Sequence, residues 1–347
     1  MISRNSPPVV ALDLMGGDHG PAVTVPAAKQ ALLLSEGFKI SATGVPEACL
    51  PLLSQHGLDH HDRFSFIPST SSLPSGCTAA EALRRGRGSS MRDALELVSS
   101  GCAGSCVSAG STAALLALSC HTVRRLPGVS RPALAAFLPN ASGNAGRSLV
   151  LDLGANVSCT PENLFQFALL GALEFRSVMR TPAPPRVALL NVGVEQTKGS
   201  ECIKKANEML QKVEFINFIG YIEGDCLFNS SADVIVCDGF AGNIALKASE
   251  GLVRLIRKKA EDGMTGMWRL LRLPLGLFVR RRMRDLLPDS YNGAALLGLQ
   301  GAVIKSHGAA GVRAVAQSVI RAAEAVREVP PRDWLDLLKD NGHQDVQ

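Results

Sequence analysis

The 347-residue sequence has few aromatic residues and no long apolar run. Phe, Trp and Tyr make up 5% of it, whereas Gly accounts for 33 residues. Small and aliphatic side chains suit helices packed on a sheet better than a β-sandwich. No run approaches the ~18 apolar residues of a membrane span, and the apolar stretch 9–14 is too short for the core of a signal peptide. The composition therefore predicts a globular α/β protein.

Several motifs of known chemistry are also missing. The sequence contains no GxGxxG, GxxxxGK[ST] or GxSxG, which argues against dinucleotide-binding, P-loop and α/β-hydrolase sites. None of the seven histidines has Asp five positions later, which excludes the HxxxxD class of lipid acyltransferases. The nine cysteines include no CxxC pair, and no histidine stands at ligand spacing. We therefore expect no metal, no cofactor and reduced cysteines in a cytoplasmic protein.

Short apolar runs alternate with helical patterns along the chain. Strands are predicted at 9–14, 39–44, 64–68, 102–109, 148–153, 186–192, 215–219 and 234–237, and helices at 22–35, 47–56, 113–121, 161–175 and from 244. The basic stretch 84–91 is predicted to be a flexible, solvated loop. This alternation predicts one α/β domain over residues 1–328, with a mostly parallel sheet and helices on both faces, followed by a tail over 329–347.

The turns that follow the strands are rich in Gly, Asp and Asn. After residue 237 the chain passes through Asp238-Gly239-Phe240-Ala241-Gly242 to Asn243, which is predicted as the N-cap of the next helix. Unpaired N–H groups in a first helical turn, approached through glycines, suit a phosphate. The alternative is that Asn243 only caps the helix and the glycines only make the turn.

Further candidate ligands follow the other strands. Because ligands bind such sheets at the carboxyl ends of the strands, these turns are expected to meet at one crevice. Ser111 resembles an N-cap more than a nucleophile. The full set comprises Asp13, Gly16, Gly17, Asp18, Ser111, Asn156, Asn191, Gly193, Lys198, Asp238, Gly239, Gly242, Asn243, Lys305 and His307.

Six segments in order resemble the bacterial phosphate acyltransferase family, the acyl-[acyl carrier protein]:phosphate acyltransferases of phospholipid synthesis. They are LDLMGGDHGP (12–21), SAGSTAAL (108–115), LDLGANVSCTPENLFQFALLG (151–171), LLNVGVEQTKG (189–199), VCDGFAGNIALKASEG (236–251) and LLGLQGAVIKSHG (296–308). The resemblance spans about residues 9–325. Ser111 and Ala113 stand where the family usually has asparagine and glycine, and Tyr221, Asp225 and Cys226 also depart from its pattern.

The resemblance implies that a fatty acyl group moves from the thioester of acyl carrier protein to inorganic phosphate. It also implies a homodimer and a Rossmann-like α/β/α sandwich similar to phosphotransacetylase and isocitrate dehydrogenase. Phosphate is itself the nucleophile, so the protein needs no covalent Ser or Cys and must stabilise the developing oxyanion. Lys198 would supply positive charge and Asn243 a hydrogen bond, while Asp238 would orient Lys198 or accept a proton. The other candidates would line the crevice.

A basic, apolar region lies between residues 250 and 290. Ten Lys or Arg fall between 254 and 284, against two acidic residues, which indicates a local anionic partner rather than a nucleic acid. The region predicts a helical hairpin that lies on an anionic membrane at the inner face of the cell membrane. A dimer interface is the rival interpretation, and both can hold. The predicted membrane contacts are Trp268, Leu270, Leu271, Leu273, Leu275, Leu277 and Phe278.

Two other functions remain open from the sequence. A phosphate acetyltransferase would carry out the same attack on acetyl-coenzyme A, but the hairpin would then have no obvious purpose. A non-catalytic protein that binds acyl carrier protein or lipid at the membrane surface would not need Lys198 and Asn243 in the crevice.

Overall fold

The structure is a computed structural model that describes residues 7–142, 146–262 and 292–328. Its strands are β1 (Val9–Asp13), β2 (Lys39–Gly44), β3 (Phe64–Pro68), β4 (Ser105–Ser108), β5 (Ala133–Pro139), β6 (Arg147–Leu151), β7 (Arg186–Leu190), β8 (Asn217–Ile222), β9 (Val234–Val236), β10 (Ala294–Leu297) and β11 (Ala302–Lys305). Its α-helices are α1 (Pro21–Leu34), α2 (Pro46–Gln55), α3 (Ala79–Arg85), α4 (Ser90–Ser99), α5 (Thr112–Thr122), α6 (Pro161–Met179), α7 (Glu201–Leu210), α8 (Gly239–Asp262) and α9 (Val312–Glu328).

All eleven strands form one sheet in the order β3-β2-β1-β4-β11-β10-β5-β6-β9-β7-β8. The first five strands in this order, β3, β2, β1, β4 and β11, are parallel to one another and form a first block. The last four, β6, β9, β7 and β8, are also parallel to one another and form a second block. Three antiparallel pairings separate these two blocks: β11 with β10, β10 with β5, and β5 with β6. The predicted mixed, mostly parallel sheet is thus confirmed. The prediction that all the strand ends share one edge is wrong, because the two blocks run in opposite directions.

Helices cover both faces of the sheet, as predicted. On one face, α1, α2 and α9 pack on the first block, and α6 and α7 pack on the second. On the other face lie α3, α4 and α5, with Ala241, Ala245 and Leu246 of α8 packed against the same apolar cluster. Alternate residues of a strand point to opposite faces. In β1, Leu12 accordingly joins the first face and Ala11 the second.

Local signals account for the elements that the sequence analysis missed. The stretch 84–91 is not a flexible loop, because it contains the end of α3 and the start of α4. Thr78 and Glu81 form a capping box at α3, and the Ser89 side chain caps α4. The alanine-rich β5 has little of the β-branched character by which strands are recognised.

Two predicted features lie outside the described residues: the membrane contacts between 268 and 278, and the tail over 329–347. None of the helices that the structure describes combines the length and the apolar character needed to cross a bilayer.

Candidate active site

The predicted site residues fall into two groups. We call the turns after β1, β4 and β11 the first cluster, and the turns after β6, β9 and β7 the second cluster. Because their strands run in opposite directions, the two clusters start from opposite edges of the sheet.

A buried carboxylate shapes the turn after β6. Asp152 accepts hydrogen bonds from the backbone N–H groups of Leu134 (2.9 Å), Gly154 (3.2 Å), Ala155 (2.9 Å) and Asn156 (2.7 Å), and from Asn156 Nδ2 (2.8 Å). Burial raises the pKa of Asp152, and these donors oppose the rise by stabilising the anion. Asn156 is therefore buried, and its side-chain amide bonds to groups inside the protein.

The turn after β9 leads directly into α8, which begins at Gly239. The predicted N-cap at Asn243 is therefore wrong, since Asn243 lies inside the helix. Asp238 occupies the capping position, where its Oδ1 accepts the N–H of Ala241 at 2.7 Å. The N–H of Gly239 donates to the carbonyl of Asn156 at 2.8 Å. These first-turn amides already have partners within the protein.

Close packing brings the start of α8 against the turn after β6. A Cβ at Gly242 would overlap the carbonyl oxygen of Asp152, and a Cβ at Gly154 would lie 3.3 Å from Cβ of Asn243. Gly242 thus has a packing role. Asn243 is exposed at the surface of this junction.

The turn after β7 is shaped by Asn191. This buried side chain donates from Nδ2 to the carbonyls of Gly193 (3.1 Å) and Lys198 (3.2 Å), so it fixes both ends of the loop between them. A Cβ at Gly193 would lie 2.7 Å from Glu195 Oε2 and 3.0 Å from Lys198 Cγ. Gly193 therefore makes room for these two side chains. Lys198 is exposed.

In the first cluster, Asp13 is buried and bonded within the protein. Ser90 Oγ and Ser108 Oγ donate to its two carboxylate oxygens at 2.6 and 2.7 Å. Burial raises its pKa, and the two hydroxyls act in the opposite direction. A Cβ at Gly16 would lie 2.8 Å from the backbone N of Gly110, so glycine lets the turns after β1 and β4 approach each other.

The remaining turns of the first cluster join at their backbones. Ser111 caps α5, as predicted, and its Oγ donates to the carbonyl of Cys77 at 2.8 Å. Gly17 has a φ of 93°, a left-handed conformation that favours glycine. The N–H of the exposed Asp18 donates to the carbonyl of Gly308 at 2.9 Å, which ties the turn after β1 to that after β11.

Lys305 and His307 supply basic groups after β11. Lys305 is 9% exposed, and its Nζ donates to the carbonyls of Ala109 (3.4 Å) and Ser306. Burial lowers the pKa of Lys305 to about 8, while Asp18 acts to raise it. The pKa of His307 is also lowered, first by burial and then by neighbouring positive charge.

Lys247 of α8 connects the two clusters. Its Nζ lies 2.9 Å from Glu250 Oε2 and 3.3 Å from Nε2 of His307. Lys247 stands four residues after Asn243, on the same side of the helix. The sequence analysis did not select Lys247 or Glu250. The signal that would have found them is this spacing of four and three residues along α8.

Two cysteines lie close to the second cluster. Burial raises the pKa of Cys159, beside the second cluster, to about 12, and it also raises the pKa of Cys237 well above its usual value, so both thiols stay protonated near neutral pH. Within residues 7–142, 146–262 and 292–328, no three His, Cys, Asp or Glu side chains are grouped so as to hold a metal ion.

Comparison with known proteins identifies the family. Residues 9–332 match the family described as "Fatty acid synthesis protein". The chain belongs to this family. The family resemblance predicted from the six segments is thereby confirmed.

Solved structures of phosphotransacylases share the fold. A phosphotransacetylase from Streptococcus pyogenes matches with a TM-score of 0.62 at 18% identity, covering 92% of this chain and 94% of that one. A branched-chain phosphotransacylase from Enterococcus faecalis matches with a TM-score of 0.61 at 14% identity, covering 93% of this chain and 100% of that one. At such low identity these likenesses concern the fold, and they confirm the predicted phosphotransacetylase-like architecture.

Proposed function

We propose that this protein transfers a fatty acyl group from the thioester of acyl carrier protein to inorganic phosphate. A phosphate oxygen attacks the thioester carbonyl carbon, the C–S bond breaks, and the proton of hydrogenphosphate passes to the leaving thiolate. The products are acyl phosphate, for phospholipid synthesis, and acyl carrier protein with a free thiol. Phosphate is largely ionised near neutral pH, so the reaction does not require a protein general base.

Two groups that suit this reaction follow adjacent strands of the second cluster. Lys198 and Asn243 stand after β7 and β9, which are paired in the sheet, and both are exposed. An ammonium group and an amide donor are suited to hold a dianion beside a thioester and to stabilise the oxyanion. Membership of the fatty acid synthesis protein family supports the same reaction. Asp238, which caps α8, would act by keeping this turn in place.

Exposed apolar side chains favour a fatty acyl donor over an acetyl donor. The proposed substrate rests on this observation. Five of them flank Lys198 and Asn243, each between 52% and 80% exposed: Val157, Val192, Val194, Phe240 and Ile244. Exposed apolar patches commonly mark ligand or protein contacts. A long acyl chain would cover these side chains, whereas an acetyl group is too small to do so.

We also propose that the protein acts as a homodimer at the inner face of the cell membrane. The exposed residues Leu252, Leu255 and Ile256 continue the apolar side of α8 away from the site. Contact with anionic lipid through Trp268, Leu270, Leu271, Leu273, Leu275, Leu277 and Phe278 stays a prediction outside the described residues.

The test is formation of acyl phosphate, trapped with hydroxylamine, from palmitoyl-acyl carrier protein and inorganic phosphate. We expect Lys198→Ala and Asn243→Ala each to lower kcat by roughly a hundredfold or more, as removal of an oxyanion-stabilising donor does elsewhere. Lys212→Ala and Asn217→Ala are matched controls, because both residues are exposed and lie away from the turns of the two clusters.

Comparing donors separates the three candidate functions. Product from acetyl-coenzyme A but not from palmitoyl-acyl carrier protein would favour the acetyltransferase. No product from either donor, together with binding of acyl carrier protein that survives Lys198→Ala, would indicate a non-catalytic binding protein.

A further inference from the structure

The amides at the start of α8 are poorly placed to bind an anion. The N–H groups of Gly239 and Ala241 already donate to Asn156 and Asp238, and the Asp238 carboxylate adds negative charge at the same position. Apart from the backbone N–H of Phe240, anion contacts from α8 therefore come from side chains further along the helix. Asn243 and Lys247, one turn apart, are on the side that faces the first cluster, because Lys247 reaches His307.

Two donors meet between α8 and the turn after β11. Nδ1 of His307 accepts the N–H of Ala309 at 3.2 Å, so the neutral ring carries its proton on Nε2. In that tautomer His307 Nε2 is a donor 3.3 Å from the Lys247 ammonium, and neither group can accept from the other. An anion that lies beside both nitrogens would accept from each of them.

The surrounding contacts hold these two donors in place. Glu250, whose side chain is 7% exposed, accepts a hydrogen bond from Lys247 Nζ at 2.9 Å. The Lys247 ammonium keeps its other two protons free for a ligand. Asn292 Oδ1 accepts the N–H of His307 at 2.9 Å, which fixes the backbone of that residue. The buried ammonium of Lys305 lies nearby and adds positive charge.

We infer that Lys247 and His307 form a phosphate-binding subsite that connects the two clusters. The identity of the bound phosphate rests on the proposed function, whereas the existence of the subsite does not. The ligand is either the inorganic phosphate that attacks the thioester or the phosphodiester of the donor's phosphopantetheine arm. Asn243, about 5–6 Å from Lys247 between Cβ atoms, is close enough to share a phosphate with it.

The experiment compares Lys247→Gln with Lys258→Gln. Both lysines are on α8 and exposed, and both changes remove one positive charge, but Lys258 lies about three turns further along the helix. Binding of inorganic phosphate is measured by calorimetry without acyl donor, and KM values are measured for phosphate and for palmitoyl-acyl carrier protein. Lys247→Arg, which keeps the charge, is expected to restore part of the loss.

We expect Lys247→Gln to weaken phosphate recognition by roughly tenfold to a hundredfold, the effect of losing a charged hydrogen bond. A weaker calorimetric affinity with a raised KM for phosphate identifies inorganic phosphate as the ligand. A raised KM for the acyl carrier protein alone identifies the phosphodiester. If Lys247→Gln matches Lys258→Gln in all three measurements, the subsite does not exist.

This design separates failure of the subsite from failure of the proposed function. A wild-type protein that makes no acyl phosphate but binds phosphate through Lys247 would keep the subsite and reject the reaction. An active wild type whose Lys247→Gln variant is unaffected would keep the reaction and reject the subsite. His307→Gln, with Asn292 left in place, provides an independent second variant for the same measurements.

Discussion

Lys305 has a lowered pKa because its ammonium group is buried at the end of β11. Backbone carbonyls, which carry only partial charge, accept its protons, and the nearby Lys247 further disfavours the charged form. Asp18 acts in the opposite direction but does not restore the usual pKa of 10.5. The folded protein therefore binds this proton less tightly than the unfolded chain does.

A pH-dependent stability follows from this shift. Between pH about 8 and pH about 10.5 the unfolded chain keeps the Lys305 proton and the folded protein loses it, so the free energy of unfolding rises with pH. Over that range the contribution amounts to about 3 kcal/mol. In Lys305→Met this contribution is absent. Urea unfolding at pH 7, 8, 9 and 10 should show the wild type gaining stability relative to the variant, and parallel curves would contradict the pKa.

Residue types could be predicted from the sequence more readily than residue roles. The sequence analysis placed the helix cap at Asn243, five residues after Asp238, although either an amide or a carboxylate can cap a helix. The choice depends on the bond from the N–H of Gly239 to the carbonyl of Asn156, which comes from a distant part of the chain. Lys247 was missed for a similar reason, since its partner His307 lies 60 residues away.

At the scale of elements, two glycines of α8 should respond oppositely to a methyl group. A Cβ at Gly242 would overlap the carbonyl of Asp152, so Gly242→Ala must push the start of the helix away from β6. We expect a loss of about 1–3 kcal/mol in the free energy of unfolding. Because Asn243 moves with the helix, acyl phosphate formation should fall too.

Gly251→Ala is the matched control within the same helix. A Cβ there meets no atom within 4 Å, so the change should stabilise the protein by about 0.5–1 kcal/mol through helix propensity. Urea unfolding of both variants tests the difference. Equal effects would mean that the tight junction between α8 and β6 does not exist.

The elements with strong local signals were predicted to within a few residues. Predicted strands at 39–44 and 64–68 coincide with β2 and β3, and the helix predicted at 161–175 is α6 with Pro161 in its first turn. Other elements were missed, including α4, although its buried Met91, Ala94, Leu95 and Val98 follow a helical spacing. The short α3 and α4 begin at capping contacts, and β5 contains three alanines and no β-branched residue among its seven residues.

For the whole molecule, the layers were predictable but the strand directions were not. Alternating strands and helices require helices on both faces, which the structure confirms. The reversal of the second block depends on β5 and β10, which pair antiparallel to each other in the middle of the sheet. Leu297 of β10 and its partner Ala133 of β5 are 164 residues apart in the sequence. No local pattern encodes such a pairing. As a result α8, rather than one shared edge, brings the two clusters together.

The exposed apolar side of α8 predicts how two copies of the molecule associate. Leu252, Leu255 and Ile256 are 45% to 58% exposed in the single chain, and they continue along α8 the side on which Ala241 and Ala245 pack against the sheet. Pairing of this surface between two copies would remove it from water. Sedimentation at micromolar concentration should show a dimer for the wild type and a monomer for Leu252→Asp combined with Leu255→Asp.

The double variant Leu33→Asp with Leu34→Asp is the control for that experiment. These leucines at the end of α1 are also exposed, at 70% and 62%, but lie on the face of the sheet opposite α8. If the interface is on α8, the control stays dimeric, because two new charges on α1 leave the apolar surface of α8 intact. A dimer that persists in the α8 variant, or dissociates equally in the control, would place the contact between copies elsewhere on the molecule.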